Sequence, residues 1–491
     1  INFYLQTRAA KYTIGPMAEG SFFFYDLETS GIRPRSARIM QFAGQRTNLD
    51  LEPIGDPVNL LIKLTPDVLP EPDAILLTGI TPQQTLQDGL TEAEFLQEFY
   101  DQVVQPGTIF VGFNSIRFDD EFMRFLHYRN FYDPYEWQWQ NGCSRWDLLD
   151  LVRMTRALRP DGIEWPFTPD GKPANRLEML TKANGLSHEA AHDALSDVMA
   201  TIAVAKLIKD KQPDLFKYLL DGRSKQAVAK LVGAGQPFIY TSGRYPSATG
   251  HTTAVVKLAD HAQKDQALVY DLRHDPTPFL KMTPQQLADA WRYKKDRSPE
   301  DVPLPVKTIK FNRCPAVAPL GVLKGAEQRL QLDTDTITRN LTLLKAGQKT
   351  FAANVLAAIE ILDTERPRVS GDVDEQLYDG FISDADKLAS RALRAAPAKD
   401  LPQFTEKLQD KRLQKLLPRY QARNYPSSLS GEQREAWEAH LKDKLLTGGP
   451  ASPLARYFNR LQQLAAGSLT SQQEYLLTEL QLYGESITPE L

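Results

Sequence analysis

The chain has 491 residues, of which 42% are hydrophobic and 24% charged, as is ordinary for a soluble protein with about two to four domains. We find no apolar run of about 18 residues, which excludes a membrane-spanning helix, and no secretory signal. Cys143 and Cys314 are too few and too far apart for a disulfide framework or a zinc site, so a cytoplasmic location is expected. The formal net charge of −4 gives no bulk attraction for nucleic acid, so such binding would need a segregated basic surface.

Strands and helices alternate between residues 17 and 210, which predicts an α/β domain over that range. Residues 1–16 are set aside as an N-terminal tail or a cloning remnant. The predicted strands are Phe22–Tyr25, Arg38–Arg46, Val58–Leu64 and Thr108–Gly112. The predicted helices are Glu92–Val104, Asp119–Tyr128, Trp146–Ala157, Arg176–Ala183 and Ala194–Lys209, with a further helix beginning at Thr81-Pro82. Because the first strands follow one another without a long helix between them, we expect an antiparallel meander joined to a parallel part of one sheet.

The sequence pattern changes in residues 212–366, where short predicted strands are separated by Gly, Pro and Ser. The strands predicted there are Gln236–Ser242, Thr252–Leu258, Ala267–Leu272 and Val306–Asn312, which favours a small barrel-like β domain with helical insertions. Residues 365–372 are predicted to form a linker. The range 368–491 is helical by periodicity, with predicted helices at Ala385–Ala395, Phe404–Leu417, Gly431–Leu446, Pro453–Ala466 and Ser471–Gly484.

Two acidic residues follow the first predicted strand. Asp26 and Glu28 come after the apolar run Phe22–Tyr25, and because side chains alternate along a strand, both point to the same face. Two carboxylates with this spacing can share a divalent cation such as Mg²⁺, which favours oxygen ligands. Taken alone the pattern is weak, because Asp26 could simply end the strand and Glu28 could be a solvated turn residue.

Further acidic residues and a histidine occur at the starts of two predicted helices. Asp119 opens one of them, although the helix dipole alone favours an acid in a first turn. Asp197 lies where the strongly apolar helix Ala194–Lys209 begins, and an unpaired carboxylate at a buried face is costly, so a cation is a natural partner. His192 precedes it; histidine titrates near neutral pH and suits general base catalysis, although a single histidine is more often structural. Together these groups suit metal-assisted hydrolysis of a phosphodiester.

The set resembles the histidine-type DEDD exonuclease superfamily, and longer stretches resemble its bacterial exodeoxyribonuclease I family. Those stretches are Asn-Phe-Tyr-Asp-Pro-Tyr (130–135), Ser-Arg-Trp-Asp-Leu-Leu-Asp (144–150), Ala-Leu-Arg-Pro-Asp-Gly-Ile (157–163), Leu-Thr-Lys-Ala-Asn-Gly (180–185), Gln-Leu-Tyr-Asp-Gly-Phe (376–381), Asp-Lys-Arg-Leu (410–413) and Tyr-Gln-Ala-Arg-Asn (420–424). The resemblance is strongest up to about residue 220, patchy from 225 to 365, and clear again from 370 to 425.

The resemblance implies a ribonuclease H-like α/β exonuclease domain, an SH3-like β-rich domain and an all-α C-terminal domain. It implies 3′-to-5′ hydrolysis of single-stranded DNA to 5′-mononucleotides in DNA repair and recombination, with two Mg²⁺ ions that Mn²⁺ can replace. By resemblance the metal ligands are Asp26, Glu28, Asp119 and Asp197, with Asp119 assisting through water. His192 is then the general base, and Glu28 acts in catalysis and also contacts the substrate.

Aromatic and basic side chains suggest a grip on unpaired bases. Aromatic faces stack on bases for roughly 1–3 kcal/mol each, although the clustered tryptophans could equally form a local core. By resemblance the DNA contacts are Arg124, Tyr135, Trp139 and Arg153, while Arg176 meets the terminal nucleotide. A basic stripe near the C-terminus, usually just a solvated face, could close a channel over the strand; it comprises Lys407, Lys411, Arg412, Lys415, Arg419 and Arg423.

The family also binds the acidic, Phe-ending C-terminal tail of the single-strand-binding protein. By resemblance Arg159 and Tyr218 contact this tail. Gln236 stands where a lysine is expected before Pro237, a departure that bears on the strength of the contact and not on its existence. We expect a monomer without a membrane partner.

Two rival functions stay open. One is a single-stranded RNA trimming or proofreading nuclease with the same five residues, disfavoured because such enzymes need only about the first 200 residues of a chain of this kind. The other is a nucleic-acid-binding scaffold with an inactive nuclease fold, disfavoured because all the chemical positions are filled.

Overall fold

The computed structural model describes residues 20–188, 193–292, 294–298, 301–365 and 371–488. The predicted tail at 1–16, the predicted base His192 and most of the predicted linker lie outside these ranges. Within them, no helix combines the length and apolar character needed to cross a membrane.

The first sheet has strand order β3-β2-β1-β4-β5, in which β1, β2 and β3 pair antiparallel while β4 and β5 run parallel to β1. Its strands are β1 (Phe22–Thr29), β2 (Ile39–Thr47), β3 (Val58–Leu61), β4 (Ile109–Gly112) and β5 (Ser144–Asp147). The predicted meander joined to a parallel part is therefore confirmed. The fifth strand was not predicted, and the helix expected from residue 146 begins only at Leu148.

The helices between residues 72 and 233 pack around this sheet, except for the last of them, which joins a separate core. They are α1 (Pro72–Thr78), α2 (Pro82–Asp88), α3 (Glu92–Glu98), α4 (Asp119–Arg129), α5 (Leu148–Leu158), α6 (Leu177–Ala183), α7 (Ala194–Lys211), α8 (Pro213–Asp221) and α9 (Lys225–Gly233). The helix predicted over 92–104 is divided, because α3 continues as a π-helical turn at Phe99–Val103.

Alternation along β1 separates two cores. Phe22 and Phe24 join a cluster that includes Val198 and Ile202 of α7, whereas Phe23 and Tyr25 face the opposite cluster. The face that carries Asp26 is thus the face covered by α7.

The second sheet has the antiparallel order β10-β6-β7-β8-β9. Its strands are β6 (Phe238–Thr241), β7 (Thr252–Asp260), β8 (Gln266–Asp271), β9 (Val306–Lys310) and β10 (Ala316–Pro319), and its helices are α10 (Pro284–Trp291), α11 (Glu327–Leu330) and α12 (Thr334–Glu365). The predicted strands are confirmed with shifted ends, while β10 and the 32-residue helix α12 were not predicted individually.

The C-terminal part is helical, as predicted. Its helices are α13 (Asp384–Arg394), α14 (Lys411–Asn424), α15 (Gly431–Leu446), α16 (Pro453–Ala465) and α17 (Ser471–Ser486). The helix predicted over 404–417 was wrong in its bounds, because α14 begins later and continues through Pro418. This part packs on the first α/β domain through Phe125, Tyr128 and Phe131, which join the same core as Leu413 and Leu416.

Candidate metal centre and nucleic-acid surface

Three carboxylates meet at the end of β1. Asp26 and Glu28 share one face of the strand, and α7 places Asp197 over that face. One ligand oxygen from each of the three lies within 4.8 Å of the other two. The spacing predicted from sequence alone therefore does bring these three residues together.

The start of α7 is fixed by its own cap. The Asp193 side chain accepts a hydrogen bond from the backbone N–H of Ser196 at 3.0 Å, and the N–H of Asp197 donates to the Asp193 carbonyl at 3.0 Å. Asp197 thus lies in the first helical turn, where the helix dipole favours a negative charge.

Burial and mutual repulsion make this cluster unfavourable as a set of free anions. Burial, followed by the charge of Asp197, raises the pKa of Asp26 well above its usual value. Burial raises the pKa of Glu28 to about 9, with the charge of Asp26 as the next cause. A divalent cation would remove both penalties, because it supplies positive charge and oxygen-ligand bonds.

Asp119 is the first residue of α4 and is 4% exposed. Burial, followed by the charge of Asp26, raises the pKa of Asp119 well above its usual value. Asp119 lies outside the group of three within 4.8 Å. Because the charge of Asp26 raises the pKa of Asp119, the two carboxyl groups are neighbours. The role of Asp119 as an indirect ligand stays a prediction.

The loop that leads into Asp119 is held by Asp147 at the end of β5. Asp147 Oδ1 accepts from the backbone N–H groups of Asn114 at 3.0 Å and Leu149 at 2.9 Å, and Oδ2 accepts from Ile116 at 3.2 Å. Burial raises the pKa of Asp147 to about 6, against these hydrogen bonds. These three hydrogen bonds, which brace the loop, were not predicted from the sequence, although Asp147 lies within the stretch Ser-Arg-Trp-Asp-Leu-Leu-Asp (144–150).

His192 lies outside the described residues, so its role as base stays a prediction. A histidine that the sequence reasoning did not consider, His188, contacts the cluster: its Nε2 lies 2.5 Å from Oδ1 of Asp197. Both histidines occur in the short stretch Ser-His-Glu-Ala-Ala-His-Asp (187–193). That stretch was the available signal, but only the fold shows that His188 reaches Asp197.

The predicted DNA contacts nearest α4 combine a buried cation with exposed rings. The Arg124 guanidinium bonds to Glu121 at 2.6 Å and lies 5.4 Å from the centroid of the Tyr135 ring. Tyr135 is 38% exposed and Trp139 is 62% exposed. Exposed aromatic rings beside a cation are able to stack on unpaired bases.

The other tryptophans in this stretch are core residues. Trp137 is 1% exposed and packs against Tyr25, Phe99 and Phe110. Trp146 is also buried, against Phe216. The alternative of a local core therefore holds for Trp137 and Trp146, but not for Trp139.

Arg153 and Arg176 lie on different helices. Arg153 of α5 bonds to Asp150 at 2.6 Å. Arg176 is exposed at the N-cap position of α6. Their predicted contacts with DNA stay predictions.

Glu121 joins the three parts of the chain. Besides Arg124, it accepts from Arg313 Nη2, which follows β9, at 2.7 Å and from the hydroxyl of Tyr378, which precedes α13. This junction was not predicted from the sequence, because Arg313 and Tyr378 lie 192 and 257 residues from Glu121 in the chain.

The predicted basic stripe on the C-terminal part is only partly a surface. Lys407, Lys411 and Lys415 are exposed. Arg419 pairs with Asp372 instead, and Arg423 is buried in ion pairs with acidic residues. The prediction that Arg423 belongs to an exposed basic stripe was therefore wrong, because its position on α14 turns the side chain inward.

The residues predicted to bind a partner tail occupy three elements. Arg159 follows α5 and donates to the carbonyl of Leu158 at 2.7 Å. Tyr218 on α8 is 39% exposed. Gln236 is exposed in the connection between α9 and β6. Their part in partner binding stays a prediction.

Family models match three successive ranges of the chain. They describe an exonuclease at residues 23–205, an exonuclease I SH3-like domain at 223–359 and an exonuclease I C-terminal domain at 371–487.

Curated relatives match over most of their length. The chain is 43% identical to exodeoxyribonuclease I of Haemophilus influenzae, over 87% of this chain and 90% of that protein. It is 40% identical to exodeoxyribonuclease I of Escherichia coli, over 86% and 89% of the two chains.

Solved structures match over almost the whole fold. Exonuclease I from Methylocaldum szegediense matches with a TM-score of 0.89 and 42% identity, over 95% of this chain and 99% of that one. The zinc-bound form of the E. coli exonuclease I complex with single-stranded DNA matches at 0.89 and 37%, over 96% and 100%. A complex of SSB and exonuclease I with the inhibitor CFAM matches at 0.86 and 36%, over 96% and 100%.

Proposed function

The chain belongs to the exodeoxyribonuclease I family, and on this premise we propose that it hydrolyses single-stranded DNA from the 3′ end to 5′-mononucleotides in DNA repair and recombination. The observation that carries the proposal is the convergence of Asp26, Glu28 and Asp197 within 4.8 Å. Three carboxylates so close together at a buried strand end have no stabilising role by themselves, because they repel one another. They suit a hydrolase that uses divalent cations on phosphate.

Two Mg²⁺ ions, replaceable by Mn²⁺, fit the residues present. The donors are all carboxylate oxygens, which hard cations prefer, and a zinc-bound relative supports the use of a divalent metal. Asp26, Glu28 and Asp197 hold the cations, and Asp119 assists through water. When bound, such ions lower the pKa of an attacking water and neutralise charge on the leaving oxygen.

Other residues of the protein then activate the water and hold the substrate. His192 takes the proton of the attacking water, and Glu28 also contacts the substrate. Arg176 orients that nucleotide from the N-terminus of α6. Arg124, Tyr135, Trp139 and Arg153 hold the preceding bases and phosphates, since exposed rings stack on unpaired bases and a duplex hides those faces.

A second interaction belongs to the same proposal. Arg159 and Tyr218 bind the acidic tail of a single-strand-binding protein, and the solved complex of SSB with a relative supports this partner. Gln236 offers no charge to the tail, so we propose a weaker contact there than a lysine would give.

A nuclease assay on end-labelled substrates tests the function. Wild-type protein should shorten single-stranded DNA from the 3′ end with Mg²⁺, stop in excess chelator, and act slowly on blunt duplex. Asp26→Asn should abolish cleavage, whereas Asp210→Asn, an exposed acid on α7, should not. His192→Ala should slow cleavage by roughly 10²–10⁴-fold.

The same assay separates the rival functions. Preferential cleavage of single-stranded RNA would replace the proposal with an RNA-trimming function. Tight DNA binding without cleavage under any divalent metal would indicate an inactive scaffold.

A further inference from the structure

We propose that His188 is a positioning residue that holds the Asp197 carboxylate in its metal-binding orientation. The inference rests on the proposed metal site and adds a residue outside the acidic set. His188 Nε2 lies 2.5 Å from Asp197 Oδ1, and the His188 side chain is 6% exposed. A short contact made by a buried ring restrains the carboxylate more than an exposed side chain would, because the ring has little freedom to move away.

The other ring nitrogen is also engaged. His188 Nδ1 lies 3.2 Å from Oγ1 of Thr181, a fully buried residue on α6. A metal-bound carboxylate is ionised, so Nε2 must be the donor to Asp197. Both ring nitrogens therefore have a hydrogen-bond partner, which fixes the plane of the ring.

Thr181 holds the far side of the His188 ring. Its hydroxyl also donates to the backbone carbonyls of Leu177 at 3.0 Å and Glu178 at 3.1 Å, which fixes its position on α6. The chain Thr181–His188–Asp197 joins the body of α6 to the first turn of α7, the helices that carry Arg176 and Asp197.

The hydrogen bond from His188 does not occupy all the acceptor positions of the Asp197 carboxylate. A carboxylate has about four acceptor sites, so one imidazole bond leaves its capacity to bind a cation. Hydrogen bonds from outside the ligand set are common around metal centres, where they fix ligand orientation and are worth about 10–100-fold in metal affinity or activity.

The test measures Mn²⁺ affinity by calorimetry on the chelator-treated full chain without DNA. We expect His188→Ala to weaken binding by about 10–100-fold. His188→Gln, whose amide offers a donor, should recover part of the loss, and Thr181→Val should weaken binding while Thr181→Ser does not. The control is His274→Ala, since His274 also lies beside an aspartate, at 3.9 Å from Asp271, but on the second sheet.

Activity gives an independent readout. A positioning residue shifts the Mn²⁺ concentration needed for half-maximal cleavage and leaves the rate at saturating Mn²⁺ largely unchanged. A merely structural role would instead lower the melting temperature in chelator without changing the Mn²⁺ affinity.

The outcomes are distinct. Unchanged Mn²⁺ affinity in His188→Ala would overturn the inference and leave the proposed function intact. Absence of Mn²⁺ binding in the wild-type protein would overturn the proposed metal site and this inference with it. If His188→Ala does not fold, His188→Gln and Thr181→Val decide, and wild-type affinity in both would overturn the inference.

Discussion

At Glu28, the requirements of folding and of metal binding oppose each other. The Glu28 residue is 8% exposed, and burial raises the pKa of its carboxyl to about 9 in the folded chain. In the unfolded chain the pKa is near 4.5, so between these two pH values folding requires uptake of a proton. The metal-free protein therefore loses stability as pH rises through this window.

The Glu28→Gln variant should remove this penalty. We expect its metal-free form to be more stable than wild type by an amount that is near zero below pH 4.5 and grows toward pH 9, reaching on the order of a few kcal/mol. Urea unfolding in chelator at pH 5 and pH 8 measures the difference. Added Mg²⁺ should stabilise the wild type more than the variant, and a pH-independent difference would contradict the assignment.

Two tryptophans separated by one residue allow stability and DNA binding to be tested separately. Trp137→Ala, at a fully buried ring, should cost about 3–5 kcal/mol of unfolding free energy. Trp139→Ala, at an exposed ring, should change stability by less than about 0.5 kcal/mol but weaken binding to single-stranded DNA by roughly 1–3 kcal/mol. Unfolding curves and fluorescence anisotropy measure the two effects, and unchanged DNA affinity in Trp139→Ala would remove that ring from the binding surface.

At the scale of elements, strands β1 to β4 and α7 were predictable because each contains a run of apolar residues. The strand β5 was not, since Ser144–Asp147 contains a charged arginine and is defined by its pairing with β4. The site was predictable for the same reason: strand alternation puts Asp26 and Glu28 on one face. The His188 contact was not, because it depends on the packing of α6 against α7.

Two helices, α12 and α14, were not predicted correctly although the sequence has a helical pattern at both. The pattern for α12 was present, since Ile337, Leu344, Phe351 and Ala358 recur every seven residues and are buried, but the Gly- and Pro-rich surroundings favoured a β interpretation. Pro418 was expected to end a helix, yet α14 continues through it. Pro418 is exposed, so water is able to satisfy the carbonyl that its missing N–H leaves unpaired.

Replacing Asp147 should lower the free energy of unfolding more than removing an ordinary helix cap does. Asp147→Ala leaves three backbone N–H groups without their acceptor, and each unsatisfied group costs about 1–3 kcal/mol. Ser452→Ala, which removes the single cap of α16, should cost only about 1 kcal/mol. Because the braced loop leads into Asp119, Asp147→Ala should also lower the cleavage rate, and Ser452→Ala should not. Equal losses of unfolding free energy in the two variants would show that the brace adds nothing to capping.

At the scale of the whole molecule, buried charges join the C-terminal helices to the first sheet. The Arg423 guanidinium of α14 donates to Asp67 at 2.6 and 3.1 Å and to Asp374 at 3.0 Å, and all three side chains are almost fully buried. Burial would raise the pKa of Asp67, but Arg423, Lys444 and Arg38 hold it well below its usual range. Asp67 is thus ionised at neutral pH, and its pair with Arg423 connects residues more than 350 positions apart.

Removing the central cation should be severe. Arg423→Ala leaves two buried aspartates without their main partner, which is expected to cost about 3–5 kcal/mol. The matched control is Arg434→Ala, an exposed arginine on α15, which should change stability by less than about 0.5 kcal/mol. Thermal or urea unfolding compares them, and a small loss in Arg423→Ala would mean that Arg38 and Lys444 suffice to hold the interface.

The same packing rules out deletion of the C-terminal part as a clean test of whether it contacts long strands. Its removal would expose Phe125 and Tyr128 on the helix that begins with Asp119, and Phe131 just after it, so lost activity would report damage to α4.

Neutralising the exposed lysines of the stripe avoids this problem. The triple variant Lys407→Ala, Lys411→Ala, Lys415→Ala touches no buried charge, and each lost phosphate contact should reduce the slope of log affinity against log salt by roughly 0.7 for single strands. Long oligonucleotides should therefore bind more weakly with a shallower salt dependence, while short ones that end before the stripe bind as before. An equal effect on both lengths, or none on either, would show that these lysines are a solvated face and that the strand leaves the protein by another path.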